Sequence, residues 1–237
     1  LTNFTIDMTL FLERFPFLMQ DLNFQKLNVI LTLKEPFFIE NIYEFYHNLV
    51  LDRGHDDALR VRSSFNGQPF VYGIDRLRNL LHLDAEGVYE QSDELCEMLN
   101  IVNFTDFKDE LFHPAHNNQS NKAHGLLFRN KLAYHFLSHI VLPHTSNFTD
   151  VTNEYIFLLG CIHRRVKLDF ATLIFFKMDS LKTKSKNGLP YGALISAILK
   201  DINLVPGGTL FKNKDKHIWD TSYLAQMSIK FNTTAKT

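Results

Sequence analysis

Apolar residues recur at spacings of one, three and four along much of the chain, which is the period of helices with one buried face. The clearest case follows Pro36, where Phe38, Ile39, Ile42, Phe45, Tyr46 and Leu49 fall on one stripe and predict an amphipathic helix. Ahead of it, Ile6, Leu10, Phe11, Phe15, Phe17 and Leu18 are interrupted by Pro16. A helix there is expected to end or bend near Phe15, and a second short helix is expected over residues 24–33.

After Arg53-Gly54 the period drops to two. Val61 and Phe65 before Asn66-Gly67, with Phe70 and Tyr72 after it, predict a β-hairpin near residues 59–72, because Asn-Gly supplies the positive φ angles of a tight turn. Pro69 has no amide hydrogen and belongs on an edge strand. The expectation is a two-stranded ribbon laid on helices. Ile74, Leu77, Leu80 and Leu81 then restore the helical period.

Ser92 is placed to cap a helix whose first turn carries Asp93 and Glu94, and Thr105-Asp106 can start another short one. Residues 113–122 have almost nothing to bury and read as an internal loop. Three apolar helices should form the centre: one through Leu126, Leu132, Phe136 and Val141 that Pro143 terminates, one capped near Thr149 or Asp150, and one over residues 167–181. The last is apolar nearly all round at Leu173-Ile174-Phe175-Phe176, so it is expected to be buried. Pro190 is expected to open a fourth helix, which Pro206-Gly207-Gly208 breaks. The pattern is that of a mainly α protein, an irregular multi-helix bundle with one small β-hairpin. It divides into an N-terminal helical segment (1–35) packing on the core, a helical domain (36–204), and a partly loose C-terminal extension (205–237).

With 237 residues, 45% hydrophobic and 22% charged, the chain has the balance of a globular domain with one core. Its 22 phenylalanines against one tryptophan suit the filling of space between helices. Cys96 and Cys161 are too few for a disulfide framework and read as buried thiols. No apolar run approaches the ~18 residues of a membrane span. The chain opens at Leu1 without a signal sequence, and the expectation is a fragment of a longer intracellular protein. The Asn-x-Thr triplets at Asn3, Asn103 and Asn147 then read as chance or helix-capping chemistry.

A formal charge of −1 conceals a lopsided distribution. Residues 84–110 hold nine acidic side chains against Lys108, whereas residues 163–216 hold eleven Lys/Arg against four Asp. These segments are either solvated helix faces, or surfaces that meet inside the fold, or a basic surface for phosphate or an acidic partner, or opposite patches for head-to-tail self-association.

Chemical motifs are sparse. His135 and His139 lie four apart on one predicted face, but Phe136 stands where zinc hydrolases place a glutamate. Only Gly207-Gly208 are adjacent glycines, so neither a P-loop nor a dinucleotide fingerprint is present. No CxxC, nucleophile elbow or aspartic-protease triplet occurs. The expectation is a protein without cofactor, metal, small-molecule ligand or catalytic residues. The one constellation suited to a ligand is basic: Arg164, Arg165, Lys167, Lys182, Lys184 and Lys186, candidates for phosphate contact, with no base-reading module beside them.

The order of four segments resembles the plant transposon protein domain family. Tyr43-Glu44-Phe45-Tyr46-His47-Asn48-Leu49 is similar to the family's early Phe-Tyr-x-Asn-Leu signature. Arg60-Val61-Arg62 through Leu83 is similar to its strand pair and following helix. Leu142-Pro143-His144-Thr145 resembles its central block, and Gly188-Leu189-Pro190-Tyr191-Gly192-Ala193-Leu194-Ile195 its late one. The chain departs where the hairpin carries Arg-Gly-Val, having Arg62-Ser63-Ser64, and it has Tyr191-Gly192 where the family often has an apolar residue and proline. The family has no assigned activity, so the resemblance implies a mobile-element origin and a nuclear setting without transferring a site. The expectation is therefore a non-enzymatic structural or protein-interaction module, with a nucleic-acid-binding module using residues 164–186 as the alternative.

Overall fold

The computed structural model describes residues 5–6, 13–101, 103–115, 121–143, 148–183, 190–210 and 218–219. A two-residue strand, β1 (Thr5–Ile6), is followed further along the chain by α1 (Pro16–Phe24). Residues 13–14 are helical and Phe15 breaks that helix, as expected, while Pro16 opens the next one, because at the first helical position its missing amide hydrogen has no partner to lose. α1 runs through Phe24, so the next helix, α2 (Asn28–Thr32), starts later than the apolar pattern suggests, after Lys26 turns the chain at φ 59°. α3 (Ile39–His47) forms as its stripe predicts and buries Ile42, Phe45 and Tyr46.

The sheet gains a strand over the expected ribbon. β2 (Val50–Arg53), β3 (Leu59–Phe65) and β4 (Gln68–Gly73) form an antiparallel sheet in the order β2-β3-β4. Phe65 faces Gln68 across Asn66-Gly67, both at positive φ, and Pro69 lies on an edge strand. In β3, Leu59, Val61, Ser63 and Phe65 are buried, while Arg60, Arg62 and Ser64 point the other way. The inner face packs on α3, α4 (Ile74–Leu81) and, further along the chain, α9 (Phe170–Leu181).

Ser92 caps α5 (Asp93–Leu99) by accepting a hydrogen bond from Leu95 N. A 3₁₀ turn (Phe104–Phe107) runs into the one-turn α6 (Lys108–Leu111). α7 (Phe128–Phe136) continues as a π-turn (Leu137–Val141) before Pro143. α8 (Asn153–His163) starts after Thr152 rather than at Thr149 or Asp150, since Asp150 is held by Lys122 and by an antiparallel bridge between the same two residues. α10 (Gly192–Asp201) follows Tyr191, which sits at φ 63° and so starts the helix two residues beyond Pro190.

The core lies where α8 and α9 meet the other helices. Residues 155–162 are all buried, as are residues 170–175, so the centre is shared by both helices and does not belong to α9 alone. Four tyrosine hydroxyls donate to backbone carbonyls of connecting segments. Tyr46 reaches Pro190 O at 3.2 Å, Tyr191 reaches Val141 O at 2.8 Å, Tyr134 reaches Asp150 O at 3.0 Å, and Tyr155 reaches Leu142 O. Burial alone raises the Tyr46 phenol far above its usual range, so this hydroxyl remains a donor.

Beyond α10, residues 205–210 return to the start of α3, and β5 (Ile218–Trp219) pairs in parallel with β1. Half of the internal loop predicted at 113–122, residues 116–120, lies outside the described residues.

Candidate functional site

The acidic and basic segments meet. Val88 and Leu168 form a parallel bridge, with Val88 N donating to Lys167 O at 3.0 Å and Asp169 N donating to Val88 O at 2.9 Å. Against this seam Lys167 contacts Asp84 at 2.6 Å, donates to Phe24 O, and lies over the Phe24 ring. Further along, Arg164 forks onto Glu110, with Nε 3.1 Å from Oε2, and also donates to Leu99 O. The Arg164 hydrogen bond holds the Glu110 carboxyl below its usual range, and the same bond raises the guanidinium.

Packing brings these charges together. Phe107 is fully buried and lies against Gly160, where a Cβ would stand 2.1 Å from a ring carbon, so only glycine lets the 3₁₀ turn close on α8. The guanidinium of Arg164 stacks 5.1 Å from the centre of the same ring. Sequence reading found the charge asymmetry but not this notch, because a single glycine inside a helical stripe carries no signal of its neighbour.

The six candidate phosphate-contacting residues therefore divide. Arg164 and Lys167 are committed to Glu110 and Asp84. Lys182 pairs with Asp179 one turn back on α9. Arg165 is exposed and takes φ 56° just past the end of α8, where Val166 N donates to Cys161 O in the manner of a left-handed helix stop. Lys184 and Lys186 lie outside the described residues.

A cleft of about 280 Å³ opens between the β2–β3 turn, α4 and the start of α9. Its charges are spent on one another: Arg78 contacts Asp75 and the buried Asp169 at 2.8 Å each, and Asp169 caps α9 through Thr172 N at 3.2 Å. Among the described residues no group of three or more His, Cys, Asp or Glu side chains is placed to hold a metal ion, and no helix is long and apolar enough to cross a membrane. His135 is buried with neither ring nitrogen hydrogen-bonded, and His139 Nδ1 lies 2.8 Å from His135 O. Burial pushes the Cys161 thiol up to about 12, which leaves it protonated and unreactive at neutral pH.

The segments that carry the family resemblance act as fasteners. Glu44 on α3 accepts from Asn66 N and Gly67 N, each at 2.9 Å, and from the Ser64 hydroxyl at 3.0 Å, so α3 grips the turn of the ribbon. Burial works against that carboxylate, but the amides of Gly67 and Asn66 and the Ser64 hydroxyl together hold its pKa below the usual value. Asn48 donates to Ser64 at 2.9 Å, and Ser63 donates to Phe45 O at 2.7 Å. Where the chain departs from the family as Arg62-Ser63-Ser64, both serines are thus bonded to α3. The central and late blocks meet through Tyr191 and Val141; His144, Thr145, Gly188 and Leu189 lie outside the described residues.

No curated protein and no solved structure matches the chain. A protein-family model does, over residues 23–204, which takes in all four of these segments and well over half the chain. The chain belongs to the family described as Putative plant retrotransposon-related domain.

Proposed function

We propose that this domain is a non-enzymatic structural or protein-interaction module of a plant mobile-element-derived protein. The observation that carries the reading is the internal use of charge: Arg164 and Lys167 of the basic stretch are neutralised by Glu110 and Asp84 of the acidic stretch. A surface for nucleic-acid phosphate needs such cations to face solvent and release counterions when they bind. What the body leaves outward includes Tyr43, Val50 and Val71.

The alternative, a nucleic-acid-binding module, draws on the exposed Arg165 together with Lys182, Lys184 and Lys186. Binding of duplex DNA and of single-stranded RNA at two salt concentrations separates the two readings. Affinity that is tight at low salt and falls steeply at high salt overturns the interaction reading and installs the alternative. Absence of binding at low salt supports it, with self-association by sedimentation as the next measurement.

A further inference from the structure

Just beyond α10, residues 205–210 lie against the first turn of α3. Gly207 N donates to Asn41 Oδ1 at 3.2 Å, Thr209 N donates to Glu40 Oε2 at 3.0 Å, and Ile39 N donates to Thr209 O at 3.3 Å. Phe38 and Leu210 add an antiparallel bridge. The two donating amides flank Gly208, which bends the segment at φ 117° so that both amides face the helix. Recognition comes from an amide oxygen, a carboxylate and a backbone amide of the first turn of α3, with the Thr209 side chain also bonded to Glu40, while Val205 and Leu210 stay largely out. Val205 is 83% exposed and Leu210 45%, whereas Asn41 beneath is 4% exposed.

Such a contact is held weakly. A few hydrogen bonds of modest net value stand against the entropy of ordering the segment's backbone, so local opening is frequent. Opening uncovers a site shaped for a segment bent at a glycine with an amide on either side of it. We propose that residues 205–210 are a displaceable strap, and that the first turn of α3 is a docking site for the same segment of a second copy of this chain. A second copy is the occupant that fits, because it carries the matching segment by definition and reciprocal exchange preserves every hydrogen bond under two-fold symmetry. The strap also lies just past residue 204, where the family match ends, while the groups that receive it at 38–41 lie inside the match. This rests on the interaction reading above and names its partner and surface.

The test uses the full chain and a fluorescein-labelled peptide of residues 204–210, read by fluorescence anisotropy, beside sedimentation velocity over about a hundred-fold range of concentration. The expected result is saturable peptide binding, a monomer–dimer equilibrium, and binding about five-fold weaker to Asn41→Ala, the loss of one hydrogen bond. A peptide N-methylated at Gly207 and Thr209 tests the same bonds without altering the protein and should not bind. Equal binding of the methylated peptide, or no saturable binding of the plain one, overturns the strap site. Dimers without peptide binding also overturn it while leaving the interaction reading in place, and peptide binding to a chain that stays monomeric overturns the second copy as partner.

Discussion

Acid should weaken this fold through His135 before the carboxylates titrate. The imidazole is 7% exposed, neither ring nitrogen has a hydrogen-bond partner, and burial, reinforced by His139 and Lys131, pushes its pKa down to about 3 from 6.5. The unfolded chain therefore takes up a proton near pH 6.5 that the folded chain refuses. Stability is whole above pH 6.5 and falls as pH drops toward 3, by about 1.4 kcal/mol per unit, so about 2 kcal/mol is lost by pH 5. Glu110 also loses stability in acid because its folded pKa is depressed, but that loss sets in around and below the ordinary carboxylate value of 4.5. Urea denaturation at pH 7.5 and 5.0 on the native chain and on His135→Leu, a swap of similar volume, isolates the imidazole. The variant should lose about 2 kcal/mol less than the native chain between the two pH values. Equal losses would refute the reasoning, since they would mean that water or a polar partner reaches the ring.

Three further outcomes follow from the packing. Gly160→Ala drives a methyl into the Phe107 ring and should cost about 1–3 kcal/mol in thermal denaturation, partly restored by Phe107→Leu. Arg129→Ala strands the buried Asp21 carboxylate, which it grips with three hydrogen bonds of 2.5–3.0 Å, and should cost about 3 kcal/mol. Arg165→Gly relieves a positive φ and should leave stability unchanged or raise it by up to about 1 kcal/mol; under the nucleic-acid reading the same change weakens binding.

Helices were legible wherever one stripe met one buried face, as in α3, because the apolar spacing and the burial have the same cause. Pro16 was legible as a break at Phe15 but not as the start of the next helix: proline is excluded from helix interiors yet favoured at the first position, and the sequence pattern alone does not say that a helix resumes there. β2 went unseen because Val50-Leu51-Asp52-Arg53 lacks the alternation that betrays a strand, and it forms by pairing with β3. The charge segments were legible as totals. Their pairing was not, since Arg164 meets Glu110 only once Phe107 has docked on Gly160, a contact between residues far apart in sequence.

The family signature can be weighed on the same grounds. Glu44 and Asn48 fasten α3 to the ribbon, and the late block reaches the central block through the Tyr191 hydroxyl. Each of these groups is consumed by the fold, so a chain can keep the signature for stability whatever it binds. Sharing it specifies an architecture and leaves the partner to positions with freedom to vary. Among the described residues those include the outward side of the sheet, the left-handed turn at Arg165, and the first turn of α3 under residues 205–210. Of the three, only the last already holds a peptide segment by its backbone, which is why the search for a partner should begin there.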